Sequence, residues 1–202
     1  IPTGLLLSEL VRRIVWALRG VVRFHKLVFI GPGVRIRGKS FLKLGKYATI
    51  ETGCYINAYS VDGVTIGERT KIGAHTVLGA TNHLSRLGKG IEIGPDCGIG
   101  EFSFIGAMGG VRIGRNVIMG QYVSFHASNH VFPDPLVPIR AQGTVAEGIV
   151  VDDDVWVGAK ATFLDGSRVG TRSVVAAGAV VNAVFDGHEI LGGVPARVLK
   201  TI

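Results

Sequence analysis

The chain has 202 residues, of which 30 are glycine, 47% are hydrophobic and only 7% are aromatic. A charged fraction of 18% argues against a disordered chain, and glycine does not recur at every third position as in collagen. The net charge of +7 suits an anionic partner, but no zinc-finger spacing or aromatic RNA-binding pattern supports nucleic acid as that partner. Many glycines and aliphatic residues with few large rings favour thin repeated layers over one bulky core.

The N-terminal segment, residues 1–33, has helical character. Apolar residues recur at helical spacing over residues 5–26. Four arginines interrupt them, so we expect neither a membrane-spanning helix nor a signal peptide. Two interpretations stay open: a helical cap on the first layer of the fold, or a basic amphipathic helix that touches an anionic membrane.

Residues 34–187 are dominated by a period of six. The repeated apolar anchor is most regular near the end, at Val151, Val157, Phe163, Val169, Val175 and Val181. Glycine often follows the anchor, and a small or β-branched residue stands four positions after it. Three such hexads per coil predict a triangular β-solenoid in which anchors of successive coils stack. Cys54 and Cys97 fall in the small position, which indicates packing residues in a reducing, intracellular protein.

Interruptions of this period mark the candidate site. A first loop lies around residues 82–89, and a longer insertion occupies residues 127–148. Long loops in a compact repeat are often functional. This insertion begins directly after His126 and contains Asn129 and His130. Residues 188–202 form a separate C-terminal segment, for which we expect a short helix.

Three segments, residues 111–130, 151–159 and 192–200, resemble the hexapeptide-repeat acyltransferases, in particular the sugar and polysaccharide O-acetyltransferases. The resemblance implies a mainly β fold, a left-handed parallel β-helix, assembled as a homotrimer with active sites between subunits. It further implies acetyl-CoA as the donor, no metal, and a hydroxyl of a saccharide as the acceptor. That saccharide would be a surface polysaccharide or its precursor, modified in the cytoplasm.

The same resemblance assigns roles to single residues. His130 stands at the position of the catalytic histidine, where a neutral imidazole would take the proton of the attacking hydroxyl. His126 is the competing candidate, Asn129 would hold the histidine or the acceptor, and Trp156 would line the acceptor side. The expected cofactor-binding residues are Ala159, through its backbone N–H at the oxyanion, and Ala177, Asn182, Arg197 and Lys200.

Other features leave alternatives open. Many relatives carry Thr-Lys where this chain has Asn182-Ala183, so one cofactor-side cation is missing. Acceptor-side candidates are Asn82, His83, Glu101 and Ser103. A γ-carbonic-anhydrase-like zinc enzyme would draw its ligands from His75, His83, His126 and His130. A non-catalytic solenoid is the third interpretation, and the donor could carry a longer acyl chain than acetyl.

Overall fold

The computed structural model describes residues 3–81 and 86–202. One N-terminal α-helix is followed by a β-helix built from short parallel strands. Asn82 and His83, two of the acceptor-side candidates, lie outside the described residues. The mainly β architecture confirms the fold predicted from the period of six.

Helix α1 spans Thr3–Phe24 and packs against the first strand of the β-helix. Its buried residues are Trp16 and Gly20. A Cβ atom at residue 20 would lie 1.9 Å from the carbonyl oxygen of Val28, so glycine permits the close approach of helix and chain. This contact with the first coil supports the interpretation of the segment as a cap.

Three parallel sheets form the faces of a triangular prism, and each coil adds one strand to sheets A, B and C in turn. Sheet A consists of β1 (Phe29–Ile30), β4 (Thr49–Ile50), β7 (Lys71–Ile72), β10 (Gly98–Ile99), β13 (Ile118–Met119), β18 (Trp156–Val157), β21 (Val174–Val175), β24 (Glu189–Gly193) and β25 (Ala196–Thr201). Sheet B consists of β2 (Arg35–Arg37), β5 (Tyr55–Asn57), β8 (Val77–Gly79), β11 (Phe104–Gly106), β14 (Ser124–His126), β19 (Thr162–Leu164) and β22 (Val180–Val181). Sheet C consists of β3 (Leu42–Leu44), β6 (Val64–Ile66), β9 (Ile91–Ile93), β12 (Val111–Ile113), β17 (Ile149–Val151), β20 (Arg168–Val169) and β23 (Val184–Phe185).

The insertion adds the short strands β15 (Asn129–His130) and β16 (Thr144–Val145), which pair with each other outside the three sheets. Single turns of 3-10 helix occur at Lys39–Phe41 and Ile139–Ala141. Sheets B and C each contain seven strands in the described residues, so these residues complete seven coils. The insertion belongs to the fifth coil.

Residues one coil apart are partners in neighbouring strands, so the anchors form columns through the core. In sheet B, Ile105 is the partner of Phe125, and Phe125 is the partner of Phe163. The two phenylalanine rings stack with 4.5 Å between their centroids and 3° between their planes. Cys54 and Cys97 are free thiols buried in the same core, which confirms that they are packing residues.

Glycines that follow an anchor allow successive coils to approach closely. A Cβ atom on Gly100 would lie 2.3 Å from the carbonyl carbon of Gly120 in the next coil. Side-chain-bearing residues adopt positive φ at several corners, among them Phe102 at 56° and Tyr122 at 59°. The glycine content therefore reflects the spacing of the coils as much as the turns between strands.

The expected short C-terminal helix is wrong, because residues 188–202 form a β-hairpin. Strand β24 pairs in parallel with β21, and β25 returns beside β24 in antiparallel orientation. Gly192, Gly193 and Pro195 disfavour a helix, and Gly193 has a φ of 99° that suits the reversal. The hairpin also satisfies the backbone groups that β21 would otherwise leave open at the edge of sheet A.

Candidate functional site

The insertion leaves the prism at the corner between sheets B and C, which we call the B–C corner. His126 is the last residue of β14 and its side chain is exposed on the outer face of sheet B. Its ring lies 5.5 Å from that of Phe104 on the preceding coil, measured between centroids. Buried Phe125 precedes it, so the core column fixes the backbone from which the insertion begins.

A two-stranded ribbon carries His130 away from this corner. His130 lies opposite Thr144, and Asn129 lies opposite Val145. The Val131 N–H donates to the carbonyl oxygen of Gly143 at 3.1 Å, which extends the ribbon by one bond. The imidazole is therefore exposed to solvent but held on paired backbone, which restricts its position.

Arg86, within the first loop, contacts the ribbon. Its guanidinium donates to the carbonyl oxygen of Thr144 at 3.0 Å and also to the Thr144 hydroxyl. A positive charge thus stands beside the strand partner of His130. No sequence pattern selects Arg86, because the contact joins residues 58 positions apart.

A cavity of about 570 Å³ lies on the outer face of sheet C, where the insertion returns to the solenoid. Its charged lining residues are Asp62, Lys89, Glu92, Arg112, Glu147 and Arg168. The returning chain is fixed by the Asp165 carboxylate, which accepts the N–H groups of Glu147 at 3.0 Å and Gly148 at 2.8 Å. The cavity therefore adjoins the corner from which the insertion leaves, although neither His126 nor His130 is among its lining residues.

The buried Asp152 carboxylate forms ion pairs with two arginines on this face of sheet C. Asp152 contacts Arg168 at 2.7 Å and Arg112 at 3.6 Å, and its side chain is 12% exposed. Both arginines project outward from sheet C. The sequence pattern did not indicate this cavity, because charged residues at outward positions of a repeat look like an ordinary solvated face.

Trp156 and the C-terminal cations lie elsewhere on the prism. Trp156 is on the outer face of sheet A, 56% exposed, and not at a corner of its coil. The strand register aligns it with Val174, then Ile190, then Lys200 on the terminal hairpin. Arg197 is on the same hairpin, where its guanidinium donates to the carbonyl oxygen of Ala196 at 2.8 Å.

The remaining cofactor candidates occupy two different corners. Ala159 and Ala177 follow strands β18 and β21 and lie at the A–B corner, between sheets A and B. Asn182 lies between β22 and β23, hence at the B–C corner, two coils beyond the insertion. In a triangular prism the face of sheet A is opposite the B–C corner. One protomer therefore brings His126, Asn129, His130 and Asn182 to one edge but does not bring Trp156 to them.

Ser103 is wrong as an acceptor-side candidate. It is buried, its hydroxyl donates to the Gly100 carbonyl oxygen at 2.9 Å, and it accepts the Val123 N–H at 3.3 Å. Glu101 lies beside it at the A–B corner, away from the insertion.

Burial raises the pKa of the Cys54 thiol to about 11, so this cysteine is not suited to nucleophilic chemistry.

His75 also lies away from the insertion, at the A–B corner. Its ring stacks on that of Phe102 with 5.1 Å between centroids. Among residues 3–81 and 86–202, no group of three or more His, Cys, Asp or Glu side chains is arranged to hold a metal ion.

Comparison with known proteins identifies the repeat. Residues 148–183 match the family model described as the hexapeptide repeat of succinyl-transferase. The chain is 28% identical over 174 residues to a protein of Mycobacterium tuberculosis named as an acetyltransferase, which covers 86% of this chain and 50% of that protein. It is 25% identical over 136 residues to WbbJ of Escherichia coli K12, named for O-acetyl transfer in lipopolysaccharide biosynthesis, covering 63% of this chain and 69% of WbbJ.

The chain is therefore similar to hexapeptide-repeat acyltransferases. It spans half the length of its mycobacterial relative. Among solved structures, AntD, an N-acyltransferase from Bacillus cereus in complex with dTDP and coenzyme A, superposes with a TM-score of 0.64 at 20% identity. That alignment covers 79% of this chain and 83% of AntD. The shared fold implies that the β-helix of this hexapeptide-repeat protein is left-handed.

Proposed function

We propose that this protein is an acetyl-CoA-dependent O-acetyltransferase that acts on a hydroxyl of a saccharide, such as a surface polysaccharide or its precursor. The observation that carries the proposal is the position of His130, on a paired ribbon that projects from the solenoid beside a cavity of about 570 Å³. The names of two relatives, one an acetyltransferase and one an O-acetyltransferase of lipopolysaccharide biosynthesis, support the same reaction class.

In the proposed reaction, His130 acts as general base. Its neutral imidazole takes the proton of the acceptor hydroxyl while that oxygen attacks the thioester carbonyl carbon. The backbone N–H of Ala159 stabilises the oxyanion of the tetrahedral intermediate. Collapse of the intermediate breaks the carbon–sulfur bond, and the departing thiolate receives the proton from the imidazolium. The products are an acetyl ester and free CoA, with no covalent enzyme intermediate.

The proposed site needs two protomers. His130 stands at the B–C corner, whereas Trp156 and Lys200 belong to the outer face of sheet A on the opposite side of the prism. A cyclic homotrimer would set the corner of one protomer against the face of the next. Trp156 would then line the acceptor side, and Arg197 and Lys200 would meet the phosphates of CoA through charge-assisted hydrogen bonds.

Asn182 and Ala177 complete the proposed groove for CoA. Asn182 is exposed at the same corner as the insertion, while Ala177 is at the A–B corner. We propose that the reaction takes place in the cytoplasm. AntD was solved with coenzyme A, which supports the choice of donor.

The experiment is an acceptor screen with acetyl-CoA that measures thiol release and product mass. His130→Ala should lower turnover by about 10²–10⁴-fold, the usual contribution of a general base, without changing the oligomeric state. His126→Ala tests the competing histidine, and His25→Ala, in the exposed chain after α1, is the matched control. Turnover near that of the wild type in His130→Ala would refute the assignment.

The bond formed distinguishes O-transfer from N-transfer. An acetyl ester is cleaved by hydroxylamine at alkaline pH, whereas an acetyl amide resists it. We expect the product of the accepted saccharide to lose the acetyl group under this treatment. A resistant product would overturn the O-specific part of the proposal and leave the acyl transfer itself in place.

A further inference from the structure

The N-terminal helix has its polar face turned toward the protein. Trp16 and Gly20, which are buried against the first coil, lie on this face. Arginines flank them: Arg12 lies over the Trp16 ring at 4.8 Å and Arg13 over the Phe29 ring at 4.9 Å. The contacts between α1 and the solenoid are therefore made by the arginine-rich side of an amphipathic helix.

The opposite side of α1 is apolar and exposed. At 3.6 residues per turn, roughly half of the circumference carries only apolar side chains. These side chains are 39–78% exposed: Leu6, Leu7, Leu10, Val11, Ile14, Val15, Leu18, Val21 and Val22. Soluble monomers rarely expose a contiguous apolar patch above a few hundred Å², so this face must be covered by something.

The width and the margins of the face indicate what covers it. A helix that packs on one or two other helices needs only a narrow seam of apolar positions, and this face is much wider. Arg19 is exposed along one margin of this face, where a long cationic side chain can reach the headgroups of a bilayer. The net charge of +7 suits an anionic surface.

We propose that α1 docks this protein on an anionic lipid bilayer, with the helix lying in the plane of the interface and its apolar face at the boundary of headgroups and acyl chains. The helix has 22 residues. No helix among the described residues is long and apolar enough to cross a membrane. The bilayer is therefore a surface on which α1 lies. The proposal does not depend on the acetyl-transfer reaction.

Flotation of the full chain with lipid vesicles tests this docking. We expect the protein to float with vesicles of equal parts phosphatidylcholine and phosphatidylglycerol, and much less with phosphatidylcholine alone or in high salt. The double variant Leu10→Glu with Ile14→Glu should bind at least about tenfold more weakly, because it puts charge into the apolar face. Its melting temperature should stay unchanged, since both side chains point away from the solenoid and are at least half exposed.

The matched control introduces the same charge elsewhere. Val194 and Ile202 are 73% and 63% exposed at the other end of the chain, and replacing both with Glu should leave flotation unaltered. Failure of the wild type to float with anionic vesicles would overturn the proposal. A change of oligomeric state in the Leu10→Glu, Ile14→Glu variant, measured by light scattering without lipid, would also overturn it, because a second copy would then cover the face.

Discussion

Replacing Phe125 with Ala tests whether the stacked anchors of sheet B hold the coil from which the insertion leaves. The Phe125 side chain is 1% exposed, and its ring stacks on that of Phe163 at 4.5 Å. Loss of a fully buried phenylalanine costs about 3–5 kcal/mol, of which the aromatic pair supplies about 0.5–1.5 kcal/mol. Urea unfolding should therefore show a free energy of unfolding lower by about 3–5 kcal/mol. A double-mutant cycle that combines this change with Phe163→Ala measures the coupling energy between the two rings.

The control is Phe132→Ala in the insertion, where the ring is 70% exposed and the change should stay within about 0.5 kcal/mol. A decrease in the free energy of unfolding of less than about 1 kcal/mol for Phe125→Ala would refute the reasoning. Such a small decrease would mean that the core around Phe125 is loosely packed or collapses to fill the space left by the ring. A coupling energy of zero between Phe125 and Phe163 would refute only the contribution of ring stacking, and would leave the contribution of burial in place.

Two further predictions concern the core and the spacing of coils. Burial raises the pKa of Cys54 to about 11, so the thiolate is scarce below that pH. Iodoacetamide at pH 8 should therefore leave Cys54 unmodified in the folded protein and label it in guanidinium chloride. Rapid labelling of the native form would contradict the burial of Cys54. Gly100→Ala should destabilise the protein by about 1–3 kcal/mol in thermal unfolding, because the new Cβ would lie 2.3 Å from Gly120. Gly98→Ala is the control, because open space surrounds the added Cβ atom there. Equal effects of the two changes would contradict the close approach of Gly100 to Gly120.

Much of the scaffold could be predicted from the sequence, because each hexad repeats the same local rule. The period located the anchors, the small inward positions of both cysteines and the insertion after Phe125. Handedness came from the resemblance to a family. The C-terminal hairpin could not be foreseen from local preference, since the open edge of sheet A decides its conformation.

The candidate site was predicted only in part. The residues at the B–C corner could be selected because they interrupt the period. Arg86 could not, since its contact with Thr144 joins two loops that are distant in sequence. Trp156 was selected from a motif that says nothing about which face of the prism carries it, and its place on sheet A separates it from His130 within one protomer.

Mixed oligomers test most directly whether one protomer's histidine works with the next protomer's face. His130→Ala and Trp156→Ala are each expected to have little activity alone, measured as CoA release with an acceptor found in the screen. When the two variants are assembled together in equal amounts, about a quarter of the interfaces in a cyclic trimer combine an intact histidine with an intact tryptophan. We predict recovery of about a quarter of the wild-type activity. Activity no greater than the mean of the two separate variants would contradict a site shared between protomers.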